Sequence, residues 1–229
     1  GNGGVEKKNG DVISVLGEST ILMWRKNSEA SCQVLVFVGN VGRLRDGVVI
    51  SRPLLAKGCG VTIMAYPGAS GAPGKPDQMD IIDKGQRVVM ALESTSATLG
   101  LYGISMGGAV AIFVADGMPP DFLILEAPLG DIWAIARKRY PFVPNLPGVD
   151  KWRSLDAAQS VDVPSLVVHG RRDGVVPFEQ GKHLARLLGA QFIAVDEGGH
   201  NDLLNWGMPG YVKTFLDRLE SDGVLKDID

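Results

Sequence analysis

The run CQVLVFV at 32–38 is apolar almost throughout and lacks the in–out alternation of a strand with one wet face. It predicts a strand buried on both faces, which belongs inside a parallel sheet covered by helices. Further apolar runs follow at 60–66, 98–102, 122–125, 165–169 and 191–195. Between and after them, apolar spacing predicts helices over 44–56, 77–94, 109–116, 178–188 and 211–220. Ahead of the first run, 11–16 and 19–24 flank Gly17-Glu18, a short hairpin signal. A hairpin followed by alternating strands and helices predicts an α/β fold. Its central sheet is mostly parallel, with an N-terminal antiparallel hairpin and helices on both faces. The 229 residues, 45% hydrophobic, suffice for one domain spanning 1–229, and no linker or internal repeat divides them.

One segment interrupts this rhythm. Residues 127–164 carry Pro128, Pro141, Pro144, Pro147 and Pro164 but no strand-like run. Long insertions in compact domains are usually lids or binding loops, so a small cap is expected there. Trp133, Tyr140 and Phe142 are its candidate pocket residues.

The stretch LYGISMGGAV at 101–110 places Ser105 in a G-x-S-x-G pattern. With 30 glycines in the chain the bare pattern is weak, but its flanks give it meaning. An apolar strand precedes it and a helix of small residues follows. That context describes a nucleophile elbow, in which a tight strand-to-helix turn lifts the serine hydroxyl above the sheet. Gly103 and Gly107 remove side chains that would collide across the turn.

A serine hydroxyl needs a base, and the chain has three histidines. His183 lies on an amphipathic helix and reads as a surface residue. His169 ends an apolar strand and reads as structural. His200, in the glycine-rich EGGHND loop after the last strand, can reach over the sheet top and is the expected base. Asp173, in the loop HGRRDGVVP after the preceding strand, is the expected acid that fixes its tautomer. Glu126, at the end of LILE, is the alternative acid.

Other classes are disfavoured. A net charge of −3 does not suit nucleic acid as a partner. No apolar run approaches the roughly 20 residues of a membrane span. The start, GNGGVEKKNGD, has no signal-like apolar stretch. Cys32 and Cys59 sit in or beside strand-like runs and are expected as buried free thiols. A reducing, cytoplasmic setting follows from that expectation. Arg137-Lys138-Arg139 and Arg171-Arg172 could grip an anionic substrate group, although a solvated face explains them as well.

Together, FVGNVG, YPGASGAPGKP, GISMGG, LILEAPLGD, PSLVVHGRRDGVVP and GGHNDL make the chain resemble the α/β-hydrolase superfamily. The resemblance is to its small-capped esterase, thioesterase and peptidase-like branch, and covers nearly the whole chain. Val38 stands where that branch usually has a histidine before Gly-Asn-x-Gly. The resemblance implies Ser105, Asp173 and His200 as catalytic residues. It also implies the backbone N–H groups of Asn40 and Met106 as an oxyanion hole. The implied substrate is a small acyl ester or thioester, with neither cofactor nor metal. The same parts could serve a peptidase or an acyltransferase, or a ligand-binding protein that has lost catalysis.

Overall fold

The computed structural model describes residues 6–8, 11–16, 19–40, 44–139, 142 and 151–226. In chain order the elements are strands β1 (Glu6–Lys8), β2 (Asp11–Leu16), β3 (Ser19–Lys26) and β4 (Cys32–Phe37), then helices α1 (Leu44–Ile50) and α2 (Arg52–Ala56). Strand β5 (Gly60–Met64), helix α3 (Gln78–Glu93), strand β6 (Thr98–Ile104), helix α4 (Met106–Gly117) and strand β7 (Phe122–Glu126) follow. Helices α5 (Ile132–Arg139) and α6 (Ser154–Ala157) precede strand β8 (Ser165–Gly170) and helix α7 (Phe178–Leu187). Strand β9 (Gln191–Val195), a 3-10 turn at Leu203–Trp206 and helix α8 (Met208–Ser221) complete the described chain.

The nine strands form one sheet in the order β1-β2-β3-β5-β4-β6-β7-β8-β9. The expected hairpin is present: β2 and β3 pair antiparallel, with Leu16 opposite Ser19. β3 also runs antiparallel to β5, and every pairing from β5 to β9 is parallel. β4, β5 and β7 are buried along their whole length, as the absence of alternation predicts.

Helix boundaries follow local chemistry. α3 starts where the Asp77 carboxylate accepts the Asp80 N–H at 2.9 Å, a side-chain N-cap. The single helix expected over 44–56 is two. Pro53 has no N–H to continue the ladder, so the chain restarts after Ser51, whose hydroxyl bonds back to the Gly47 carbonyl at 2.6 Å. The described residues of the segment 127–164 contain helices α5 and α6 and no strand. Within it Trp152 is buried and packs edge-on against Phe113 of α4.

The free-thiol expectation is overturned. Cys32 and Cys59 form a disulfide with their Cα atoms 4.7 Å apart. β4 and β5 are parallel neighbours with Gln33 opposite Gly60, so the residues just before this pair face each other across the strands. The argument for a reducing compartment falls with the free thiols. Among the described residues no helix is long and apolar enough to cross a membrane, and no group of three or more His, Cys, Asp or Glu could hold a metal ion.

Candidate active site

Ser105 stands between β6 and α4 with φ 54° and ψ −119°, a conformation that non-glycine residues rarely adopt. Its backbone is held from three sides. Its N–H donates to the Glu126 carbonyl at 2.9 Å, and its own carbonyl accepts from Gly108 at 2.9 Å and from Leu129 at 3.0 Å. The turn is possible because its neighbours lack side chains. A Cβ on Gly103 would stand 2.4 Å from the Gly107 carbonyl oxygen, and one on Gly107 only 2.1 Å from that of Phe37. Surrounding packing thus over-determines the strained residue.

The loops after β8 and β9 meet above the sheet. Arg171 N–H donates to the Val195 carbonyl and Arg172 N–H to that of Gly198, both at 2.9 Å. A Cβ on Gly170 would lie 2.2 Å from the Gly198 oxygen, so only glycine lets these loops touch. In the second loop the Asp202 carboxylate accepts the Gly199 N–H at 2.7 Å, which steadies the turn carrying His200.

This brings together three side chains whose sequence separations span 95 residues. The Ser105 hydroxyl lies 2.9 Å from His200 Nε2, and His200 Nδ1 lies 2.7 Å from Asp173 Oδ2. A carboxylate only accepts, so Nδ1 carries the hydrogen and Nε2 is left to accept from the serine. Oδ1 of Asp173 accepts the N–H groups of Val175 and Val176, each at 2.8 Å. Burial works against the Asp173 charge. Hydrogen bonds from His169, His200 and the Val175 N–H, together with the field of His200, outweigh it and hold the carboxyl well below the usual carboxylate range.

Glu126, the alternative acid, does not bond His200 Nδ1. It is buried, its Oε2 accepts the Tyr102 hydroxyl at 2.8 Å, and burial pushes its carboxyl up. The Tyr102 hydrogen bond and the His200 field offset this only in part. Glu126 lines a cavity of about 620 Å³ that also holds Ser105, His200 and Asn40. Its apolar wall includes Val38, Val49, Ile50, Ile104, Val175 and Leu204. These wall residues carry no sequence signal, because they come from five separate loops and elements. Asn40 is exposed at the mouth, and the Val38 carbonyl just before it accepts the buried Tyr66 hydroxyl at 2.7 Å. Met106 is the first residue of α4, where an N–H has no acceptor within the helix.

Trp133 and Phe142, two of the expected pocket aromatics, do not line this cavity. Trp133 is buried against a separate cavity of about 220 Å³ with Asp131, Arg137, Lys151 and Arg153, in a helix whose first turn the Asp131 carboxylate caps. Phe142 is 96% exposed, and Tyr140 falls outside the described residues. The side chains of Lys138 and Arg139 also fall outside them, and Arg137 stands 4.0 Å from Asp131. Arg171 pairs with Asp196 at 2.7 Å and Arg172 with Glu197, as a solvated ionic face. His183 is exposed, as expected.

The profile of a protein family described as alpha/beta hydrolase domain matches residues 62–204. The chain belongs to the alpha/beta hydrolase family. Among its relatives is the lysophosphatidylserine lipase ABHD12 of Danio rerio, 30% identical over 188 residues, which are 70% of this chain and 48% of that protein. The alpha/beta hydrolase domain-containing protein WAV2 of Arabidopsis thaliana is 26% identical over 82% of this chain and 69% of its own length. An uncharacterized protein of Mycobacterium tuberculosis is 28% identical over 74% of this chain, and the match spans 63% of that protein. The chain therefore spans about half to two thirds of the length of these relatives. Among solved structures, the esterase Pf2001 of Pyrococcus furiosus superposes with a TM-score of 0.72 at 18% identity, covering 91% of this chain and 89% of that one. Est1E of Butyrivibrio proteoclasticus does so with a TM-score of 0.72 at 16% identity, over 91% of this chain and 100% of Est1E. These likenesses establish an α/β-hydrolase fold.

Proposed function

We propose that this hydrolase cleaves carboxylic esters or thioesters through an acyl-enzyme on Ser105. The observation that carries the reading is the unbroken hydrogen-bonded line from the Ser105 hydroxyl through His200 to Asp173. His200 takes the serine proton as Oγ attacks the acyl carbon, and Asp173 stabilises the imidazolium that results. The N–H groups of Met106 and Asn40 receive the developing oxyanion, a contribution of about 3 kcal/mol per donor in comparable sites. His200 then passes its proton to the departing alcohol or thiol. Water, deprotonated by the same nitrogen, releases the acid and restores the serine. The apolar wall of the cavity suits the acyl chain. The lipase and esterase names carried by ABHD12 and Pf2001 favour an ester of this kind. Residues 1–229 act as one domain in this reading, with 127–164 as a small cap on it.

The test uses p-nitrophenyl acyl esters and a fluorophosphonate label. Ser105→Ala is expected to abolish both turnover and labelling while the protein stays folded. Turnover that survives the substitution, or a folded wild-type protein that neither turns over esters nor takes the label, overturns the reading. The second outcome would leave a ligand-binding role for the cavity.

A further inference from the structure

His169 was expected to be structural, yet its ring faces the same carboxylate oxygen as His200. The side chain is fully buried at the end of β8, and Nε2 lies 3.1 Å from both Asp173 Oδ2 and the Val176 carbonyl. Two acceptors facing one nitrogen require that Nε2 carry the hydrogen and donate. Nδ1 is buried without a hydrogen-bond partner. An apolar side chain would avoid leaving that nitrogen bare, so core packing alone does not call for histidine here. The surroundings are nevertheless cut to the ring. A Cβ on Gly181 of α7 would stand 2.1 Å from Nδ1, and the Phe178 ring meets the imidazole edge-on at 5.9 Å.

We propose that His169 is a positioning residue that shares Asp173 with His200 and limits how strongly the carboxylate acts on the base. The inference rests on the reading of Ser105, His200 and Asp173 given above. Three donors converge on Asp173, Val175 and Val176 N–H on Oδ1 and His200 on Oδ2, and His169 Nε2 stands 3.1 Å from the same Oδ2. The His169 bond fixes the carboxylate in the plane that His200 needs. It also draws charge from Oδ2, the oxygen that orients and stabilises His200. Other titratable groups around the cluster are Glu126 and Asp46, which line the cavity at His200, and Asp202 in the His200 loop. Arg171 lies 4.7 Å over the Phe178 ring with its charge on Asp196, and Glu179 and Lys182 on α7 stand 3.7 Å from each other at the surface. No variant below alters these groups.

The experiment measures kcat, KM and the pH dependence of kcat/KM on an acyl ester for wild type, His169→Gln and His169→Asn, with thermal melts for folding. Glutamine places an amide N–H where Nε2 stands. Asparagine is too short to reach Asp173. His169→Asn is expected to lower kcat about 10-fold, within the range lost when a partner that orients a functional side chain is removed. KM should stay within about twofold, and the acid limb should move up by about half a pH unit as the full carboxylate charge falls on His200. His169→Gln should recover both quantities. Equal losses in the two variants with no movement of the limb would reduce His169 to a packing role and overturn the proposal. If neither variant folds, imidazole 15N spectra of the wild-type protein decide: Nε2 protonated and Nδ1 bare supports the shared carboxylate, and the reverse tautomer excludes it. These spectra do not depend on turnover, so an inactive wild type would fail the proposed function without failing the His169–Asp173 bond.

Discussion

At Ser105 the backbone conformation is as informative as the side chain. A φ of 54° at a non-glycine residue costs on the order of 1–3 kcal/mol and persists only because the Glu126, Gly108 and Leu129 backbone groups hold it. Glu126 illustrates how burial acts on a neighbour of the site. Its carboxyl is pushed up by burial, so the folded state holds that proton more tightly than the unfolded chain does. This favours folding fully below the ordinary carboxylate range and is lost as pH rises through the folded value. Glu126→Gln keeps an oxygen for the Tyr102 hydroxyl and removes the titration. Its melting temperature should match wild type near pH 4 and exceed it by a few degrees at pH 8, as read in paired thermal scans. A constant offset across that range would show that Glu126 ionises freely in the fold. Asp173 has the opposite sign, since its depressed value stabilises the fold above the unfolded carboxylate range and the benefit fades in acid.

Among the elements, the junction of β6 and α4 tolerates least. Gly107 is the closest approach of the helix to β4, and an added methyl there meets backbone rather than a movable side chain. Gly107→Ala should therefore destabilise by about 3 kcal/mol or more, the upper range for overpacking, and lower the urea midpoint accordingly. A midpoint within error of wild type would show that α4 can shift outward without penalty. Periodicity made most elements legible, because a doubly covered parallel strand is apolar on both faces and an amphipathic helix is not. It did not reveal the break at Ser51, where apolar spacing continues across Pro53 and only the lost hydrogen bond divides α1 from α2. β1, three residues of Glu-Lys-Lys, has no apolar pattern to announce it and exists through its pairing with β2.

For the molecule as a whole, the Cys32–Cys59 disulfide closes a span of 27 residues through the sheet centre. Loop-closure entropy for such a span corresponds to about 3.5 kcal/mol. The double change Cys32→Ala and Cys59→Ala should reduce the unfolding free energy by about that amount in urea titrations. Unchanged stability would mean that the bridge adds nothing to what the parallel pairing already constrains.

The fold class and the residues Ser105, Asp173 and His200 were legible from sequence, because all three sit in loops at strand ends and carry local glycine signals. The tertiary structure decided everything that depends on which strands are neighbours. The adjacency of β4 and β5 turned two expected thiols into a bridge. The adjacency of β8 and β9 put Asp173 against His200. His169, four residues before Asp173, faces the same carboxylate from the end of β8, and Trp133 lines a different cavity from the serine. Hydrophobic pattern records how a segment meets its surroundings, but not which distant segment supplies them, and the chemistry of this site lies in those distant contacts.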